Sequence, residues 1–306
     1  MRRTVLIALL MLSCFTGFGQ EWEQIKDDDR FIWGEGWGHS VEEADRQALA
    51  SLASKISIAI SGDFRQVEEQ VDGPSGTSYI SIKSNRLAMT SNATLFNTNR
   101  VVLNTGRKSH VGRWICRSEL ETVFSDRKDR VLEFEDMAQA AEMDGRIDDA
   151  LKYHYWAYVL LRSIQRPSEL RDERGRILLN TIPERMNAIF DALSVSAAKR
   201  GNSLAVTFSF KGRPIQGLDF RYFDGAHWSE PRSVSRGTAM VEMAPGALAE
   251  VVQVRIEYAY TGDALMDSEL AEILSSADVK PLKKALKIFR RTGTDSPKIP
   301  QKTLTL

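Results

Sequence analysis

Apolar and polar residues change their spacing several times along this chain, and those changes divide it into units. Ser40-Val41-Glu42-Glu43 has the form of a capping box, and behind it Ala44, Ala48, Leu49, Leu52 and Ala53 recur at helical spacing. From Ile56 the apolar residues fall on alternate positions, Ile56, Ile58 and Ile60, so the spacing predicts that helix gives way to strand near Lys55. Ahead of the capping box, Arg30 to Gly38 reads as a short aromatic strand broken by glycines. Further strands are expected over residues 79–82, 87–96, 100–103 and 111–116, separated by the turn-rich Asp72-Gly73-Pro74-Ser75-Gly76 and Asn104-Thr105-Gly106. This is the pattern of a small α+β unit, residues 20–117.

Residues 118–194 are charged and helical in pattern. Met137, Ala140 and Ala141 precede Asp144-Gly145-Arg146, and Ile147, Ala150, Leu151, Tyr155, Tyr158 and Val159 follow it, so Gly145 is expected to separate two helices. The stretch resembles one tetratricopeptide helix pair, in which small alanines let helices approach. One copy falls short of an array, so the hairpin is expected to be completed by helical segments at residues 168–180 and 183–193, with Pro183 in a first helical turn. Tyr153, Tyr155, Trp156 and Tyr158 lie all round their helix, which predicts protein cover on more than one side.

Residues 195–262 alternate strictly. Leu204, Val206, Phe208 and Phe210 form one such series, Leu218, Phe220 and Tyr222 a second, and Val252, Val254, Ile256, Tyr258 and Tyr260 a third. Turn signals at Lys211-Gly212, Asp224-Gly225 and Pro245-Gly246 separate them, which predicts a small antiparallel β-sandwich, similar to an immunoglobulin-like module without its cysteine pair. Residues 263–306 read as a helical tail, including a helix over 279–291, and a polar, disordered end. The whole is a multi-domain α+β chain: an N-terminal α+β domain, a central helical hairpin or bundle, and a C-terminal antiparallel β-sandwich with a terminal helix.

The first nineteen residues are set apart from this fold. Arg2 and Arg3 precede the apolar run from Val5 to Leu12, and small residues follow at Gly17 and Gly19, so residues 1–19 have the parts of a secretory signal peptide. Two processing routes stay open: cleavage before Gln20, and lipidation at Cys14, where Leu12-Ser13-Cys14 is a partial lipobox with Met11 in place of the usual leucine. The second route would bring the chain to a membrane through its acyl group alone, since no segment is apolar for the ~18 residues a span requires.

Charge and chemistry narrow the function by exclusion. The chain has 41 basic and 41 acidic residues; loss of Arg2 and Arg3 with the leader leaves 39 basic residues, a net charge of −2, so no broad basic field is expected to recruit nucleic acid. Without Cys14, Cys116 stands alone, which excludes an intramolecular disulfide framework; within Trp114-Ile115-Cys116 it reads as a small buried thiol. His39, His110, His154 and His227 are scattered singly, so no metal site is expected. Asp27-Asp28-Asp29 lacks the spacing of a calcium loop, and Gly34-Glu35-Gly36-Trp37-Gly38 lacks that of a phosphate loop, its glycines serving instead for bending or close backbone approach. No residue is nominated as catalytic and no cofactor is expected, although scattered carboxylates such as Glu35 leave an unrecognised hydrolase as a minor reading. The candidate contact residues for a ligand or partner are Trp33 and Trp37, and Tyr222, His227 and Trp228 near the Asp224-Gly225 turn, with core packing as the alternative.

The order Trp33-Gly34-Glu35-Gly36, then Glu43-Ala44-Asp45-Arg46-Gln47-Ala48-Leu49-Ala50-Ser51-Leu52, then Ile56-Ser57-Ile58 resembles the LPP-twenty lipoprotein family, whose fold is also similar to the N-terminal domain of a flagellar T-ring protein. The likeness covers about a third of the chain. It implies export, frequent lipidation and a periplasmic or outer-membrane role in a Gram-negative envelope, with no catalytic residues to carry over. The expectation is a non-enzymatic binding or scaffolding protein whose partners are envelope proteins or cell-wall glycan. The alternative is a glycan-binding module built on the aromatic residues of the β domain.

Overall fold

A computed structural model describes residues 16–61, 82–83, 98–201, 203–244, 251–276, 278–279 and 282–289. Cys14, the rest of the leader before Thr16, the residues after Phe289 and most of the strands expected over 79–96 lie outside them.

The N-terminal unit holds helix α1 (Thr16–Asp27), strand β1 (Phe31–Gly38), helix α2 (Val41–Ser61) and strands β3 (Asn99–Asn104) and β4 (Ser109–Cys116), with a short β2 (Ile82–Lys83) between. β1, β4 and β3 form an antiparallel sheet in that order. The predicted cap is present, with Ser40 Oγ accepting from the Glu43 amide at 3.2 Å, and the Glu43 carboxylate accepting from the His39 amide at 2.8 Å. Glycines bring α2 onto β1: a β-carbon on Gly34 would lie 2.3 Å from the Leu52 nitrogen, and one on Gly36 would lie 2.1 Å from the Ala44 carbonyl. Close backbone approach is therefore their role.

The expected switch to strand at Ile56 does not occur, since α2 runs on to Ser61. Leu52 and Ile56 are fully buried one turn apart while Ile58 is exposed, so helical burial of Ile56 outweighs the small helix penalty of β-branched residues.

Helices α3 (Arg117–Met143), α4 (Ile147–Leu161) and α5 (Leu178–Ala192) make the middle of the chain. Gly145, at φ +75°, separates α3 from α4 as expected. Ala138, Ala141, Ala150 and Ala157 are fully buried where these helices pack. From His154 to Leu161 every residue of α4 is buried, so the aromatic cluster is covered on several sides. The helix expected over residues 168–180 is present only in its last three residues: beyond a single 3-10 turn (Pro167–Glu169), residues 170–177 form a loop in which Asp172 Oδ1 accepts from the Arg174 and Arg176 amides. That local capping by Asp172 competes with helix formation. α5 then starts at Leu178, and Pro183 lies inside it, past the first turn where it was expected.

The C-terminal part contains β5 (Leu193–Arg200), β6 (Ser203–Phe210), β7 (Arg213–Pro214), β8 (Asp219–Tyr222), β9 (Arg232–Ser233), β10 (Thr238–Glu242), β11 (Val251–Tyr258), helix α6 (Ser268–Ser276), β12 (Asp278–Val279) and β13 (Leu282–Phe289). One sheet runs β10-β6-β5 with β7 attached to β6, and the other β13-β11-β8-β9. Phe208 and Phe220 meet between them, ring centroids 4.8 Å apart. The alternating residues Leu204, Val206, Phe208, Phe220, Val252, Val254 and Ile256 face the shared core as predicted. The helix expected over 279–291 is instead β13, paired with β11 from Val251↔Phe289 to Tyr258↔Leu282, and the helical part of the tail is α6. Leu282, Leu286 and Ile288 fit a period of two as well as a helical one, and an edge strand with open backbone groups decides between them. β2 pairs with β12, Ile82 with Val279 and Lys83 with Asp278, which joins the N-terminal part of the chain to the strand after α6. A single cluster of buried side chains runs from Ile32 through the helices to Leu282.

Candidate ligand-binding surfaces

Register places Trp33, Glu35 and Trp37 of β1 opposite Trp114, Gly112 and His110 of β4, on the sheet face away from α2. α1 covers that face through Trp22, which is 2% exposed and lies over Gly112. The Trp22 Nε1 donates to Glu35 Oε1 at 2.7 Å, and its ring meets Trp33 edge-on at 6.0 Å and Trp114 at 5.9 Å. Lys26 Nζ and His110 Nε2 each stand 3.6 Å from the same carboxylate oxygen.

The two tryptophans nominated on β1 therefore have different roles. Trp33 donates from Nε1 to the Lys26 carbonyl, and Lys55 Nζ sits 3.2 Å from its ring centroid, so its face is already occupied by an internal cation. Burial lowers the pKa of Lys55, opposed by the Glu35 charge. Trp37 stacks on His110 at 4.6 Å with 12° between the planes and remains 53% exposed. It is an exposed aromatic face backed by a stacked ring on the neighbouring strand. Trp22, which organises this face, escaped notice because it follows directly on the excluded leader; its spacing of three from Ile25, also buried, is the signal that finds it.

The second aromatic set divides as well. Tyr222 is 4% exposed and its hydroxyl accepts from the Glu242 amide at 3.2 Å, which removes it from the ligand candidates. The alternation that sends Leu218 and Phe220 inward already assigns Tyr222 to the core. His227 is exposed in a turn where Asp224 Oδ1 accepts from the Ala226 and His227 amides, both at 2.7 Å. Those amides hold the Asp224 carboxyl below its ordinary pKa. Trp228 is half-buried, tilted against Phe223 at 5.8 Å, and carries the Arg255 guanidinium 4.1 Å from its ring centroid. Arg255 pairs in register with Arg221. Both arginines went unnoticed, though strand alternation puts them opposite the inward-facing series.

The remaining polar groups mostly hold elements together. His154 Nδ1 lies 2.6 Å from Glu135 Oε1, and Arg185 joins Glu135 to Asp172, tying α3, α4 and α5 to the loop before α5. Cys116 is not the buried thiol expected: it stands half-exposed where β4 turns into α3, its Sγ 3.1 Å from Ser118 Oγ and its amide donating to Glu119 at 3.2 Å. A strand's last residue has lost its neighbours' cover, which explains the difference. Among the described residues no three His, Cys, Asp or Glu side chains gather to hold a metal, and no helix is long and apolar enough to cross a membrane.

No family model matches this chain, and no curated protein matches it. A solved secreted protein from the human pathogen Helicobacter pylori aligns with 81% of this chain and 98% of its own at 10% identity, with a TM-score of 0.29, a likeness too slight to carry an argument.

Proposed function

We propose that this chain is an exported, non-enzymatic binding or scaffolding protein of a Gram-negative envelope, built as an α+β unit, a helical hairpin and a β-sandwich in series. The observation that supports binding is Trp37, more than half exposed and held flat on His110. An aromatic side chain fixed by a sheet loses little entropy on contact, which suits it to anchor a partner. The leader pattern of Arg2, Arg3, Val5 to Leu12 and Gly17-Phe18-Gly19 supports export.

The test is a pull-down from crosslinked envelopes with the full chain and with Trp37→Ala, together with the intact mass of the protein recovered. Partners lost in the variant, and a mass beginning at Gln20 or at an acylated Cys14, fit the proposal. An unchanged partner set, or Met1 still attached, counts against it. A second reading, a glycan-binding module in the β-sandwich, is favoured by the half-exposed Trp228 beside Phe223.

A further inference from the structure

We infer that the outer face of the β13-β11-β8-β9 sheet binds a carboxylate-bearing saccharide chain, with Arg221 and Arg255 as the contacts that hold the carboxylates. The inference rests on the glycan-binding reading of this sheet and names its ligand class.

The charge is concentrated. The chain as a whole has equal numbers of acidic and basic residues, yet the outward positions of β8 and β11 carry Arg221 and Arg255, and β13 sets Lys283 and Lys287 in register with Glu257 and Gln253, against the acidic Asp219 and Glu257. The cations are also mounted. Phe220 and Tyr222, Val254 and Ile256 point into the core, which turns Arg221, Phe223 and Arg255 outward. Arg255 and Arg221 are register partners on adjacent strands, so their backbones lie about 5 Å apart.

Each guanidinium retains donors for a ligand. Arg255 lies on the Trp228 ring, and among the described residues no hydrogen bond reaches its guanidinium; Glu257 is 3.8 Å away. Arg221 gives one bond to the Ser229 carbonyl at 3.1 Å, while Glu230, 91% exposed, stays 3.7 Å away. A guanidinium held over an indole still has N–H donors free to grip a carboxylate with two parallel hydrogen bonds. The cation also covers the indole face that a neutral sugar would stack on, which turns the site from neutral to acidic sugars. Phe223 beside it supplies the apolar contact a sugar ring needs. A saccharide is favoured over nucleic acid by the exported location proposed above. It is favoured over a lipid surface because this face presents its aromatics half-buried rather than as wedges.

The experiment measures binding of the full chain to polygalacturonate, to dextran, to vesicles of phosphatidylglycerol and phosphatidylcholine, and to a single-stranded oligonucleotide. Polygalacturonate should bind, weakening with salt, and dextran should not. Arg221→Gln and Arg255→Gln should each weaken it about tenfold, the loss of one charge-assisted contact. Met240→Ala, an exposed position of β10 in the other sheet, should leave it unchanged, which confines the site to this face. Arg221 is solvent-facing, so its variant keeps the test decisive if Arg255→Gln misfolds. Equal binding of dextran, tighter binding of vesicles or oligonucleotide, or full affinity in Arg221→Gln would overturn the assignment.

Discussion

Trp22 lies so close over Gly112 that a β-carbon there would stand 2.7 Å from the indole Cη2. The ring cannot move aside freely, because Nε1 is bonded to Glu35 and Trp33 and Trp114 flank it. Gly112→Ala should therefore lift α1 from the sheet, at a cost of about 1–3 kcal/mol for overpacking. Urea titration read by tryptophan fluorescence checks this, and an unchanged midpoint would show that Trp22 is not the clamp on this face.

The atoms nearest Gly36 are backbone, with the Ala44 carbonyl and the Ala48 nitrogen 2.1 and 2.2 Å from where its β-carbon would be and the Gln47 Cβ at 2.7 Å. A helix backbone cannot rotate away as a ring can. Gly36→Ala should thus cost more than Gly112→Ala, about 3 kcal/mol or above, by forcing α2 off β1. The comparison of thermal midpoints for the two variants tests the ranking.

These glycines show what the sequence discloses. Gly34, Gly36 and the alternating sandwich residues could be read because strand periodicity and local backbone demands are written in a few adjacent positions. β13 and the end of α2 could not, since their residues fit two periods and the choice lies with partners far along the chain, β11 for one and the sheet under Ile56 for the other. Arg255 illustrates the same limit for the candidate site: its cation–π partner Trp228 is 27 residues away, and only pairing of β11 with β8 brings them together.

Two aspartates should give opposite pH responses. Asp45 receives two hydrogen bonds from Arg113, at 2.7 and 2.8 Å, and these hold its carboxyl below the ordinary value. Its folded pKa lies below its unfolded one, so its contribution is present above the unfolded pKa and is lost as pH falls through the folded one. Asp45→Asn should cost about 1–3 kcal/mol at neutral pH and little in strong acid. Burial instead raises the Asp148 carboxyl. Ionising it is harder in the fold, so stability declines as pH rises from the unfolded toward the folded pKa and stays reduced above. Asp148→Asn should stabilise the protein at neutral pH and lose that advantage in acid, as denaturant titrations at both pH values would show.

The Cys116 thiol is accessible, and its hydrogen bonds with the Ser118 side chain and amide lower its pKa. The thiolate is the reactive form, so the native protein should react with a maleimide at a lower pH than a free cysteine does. Ser118→Ala should shift the rate profile toward higher pH without changing the number of thiols modified. A thiol that reacts only after denaturation would contradict the half-exposed position.

Arg127 is fully buried, yet it joins α3 to the start of α6 by donating to Glu269 Oε1 at 2.6 Å and to the Ser163 carbonyl at 3.0 Å. Glu269 has a second partner in Arg130, whose Nη1 stands 2.5 Å from its Oε2. The two halves of the pair should therefore differ when removed. Arg127→Met leaves Glu269 still neutralised and the Ser163 carbonyl unmet, a loss of about 1–3 kcal/mol. Glu269→Gln removes the Glu269 charge from beside a guanidinium whose charged form burial already disfavours, and should cost about 3–5 kcal/mol. In the double variant Arg127→Met with Glu269→Gln the buried guanidinium is gone as well, so the loss should fall below that of Glu269→Gln alone. Denaturant midpoints that simply add would show the two side chains to be energetically independent.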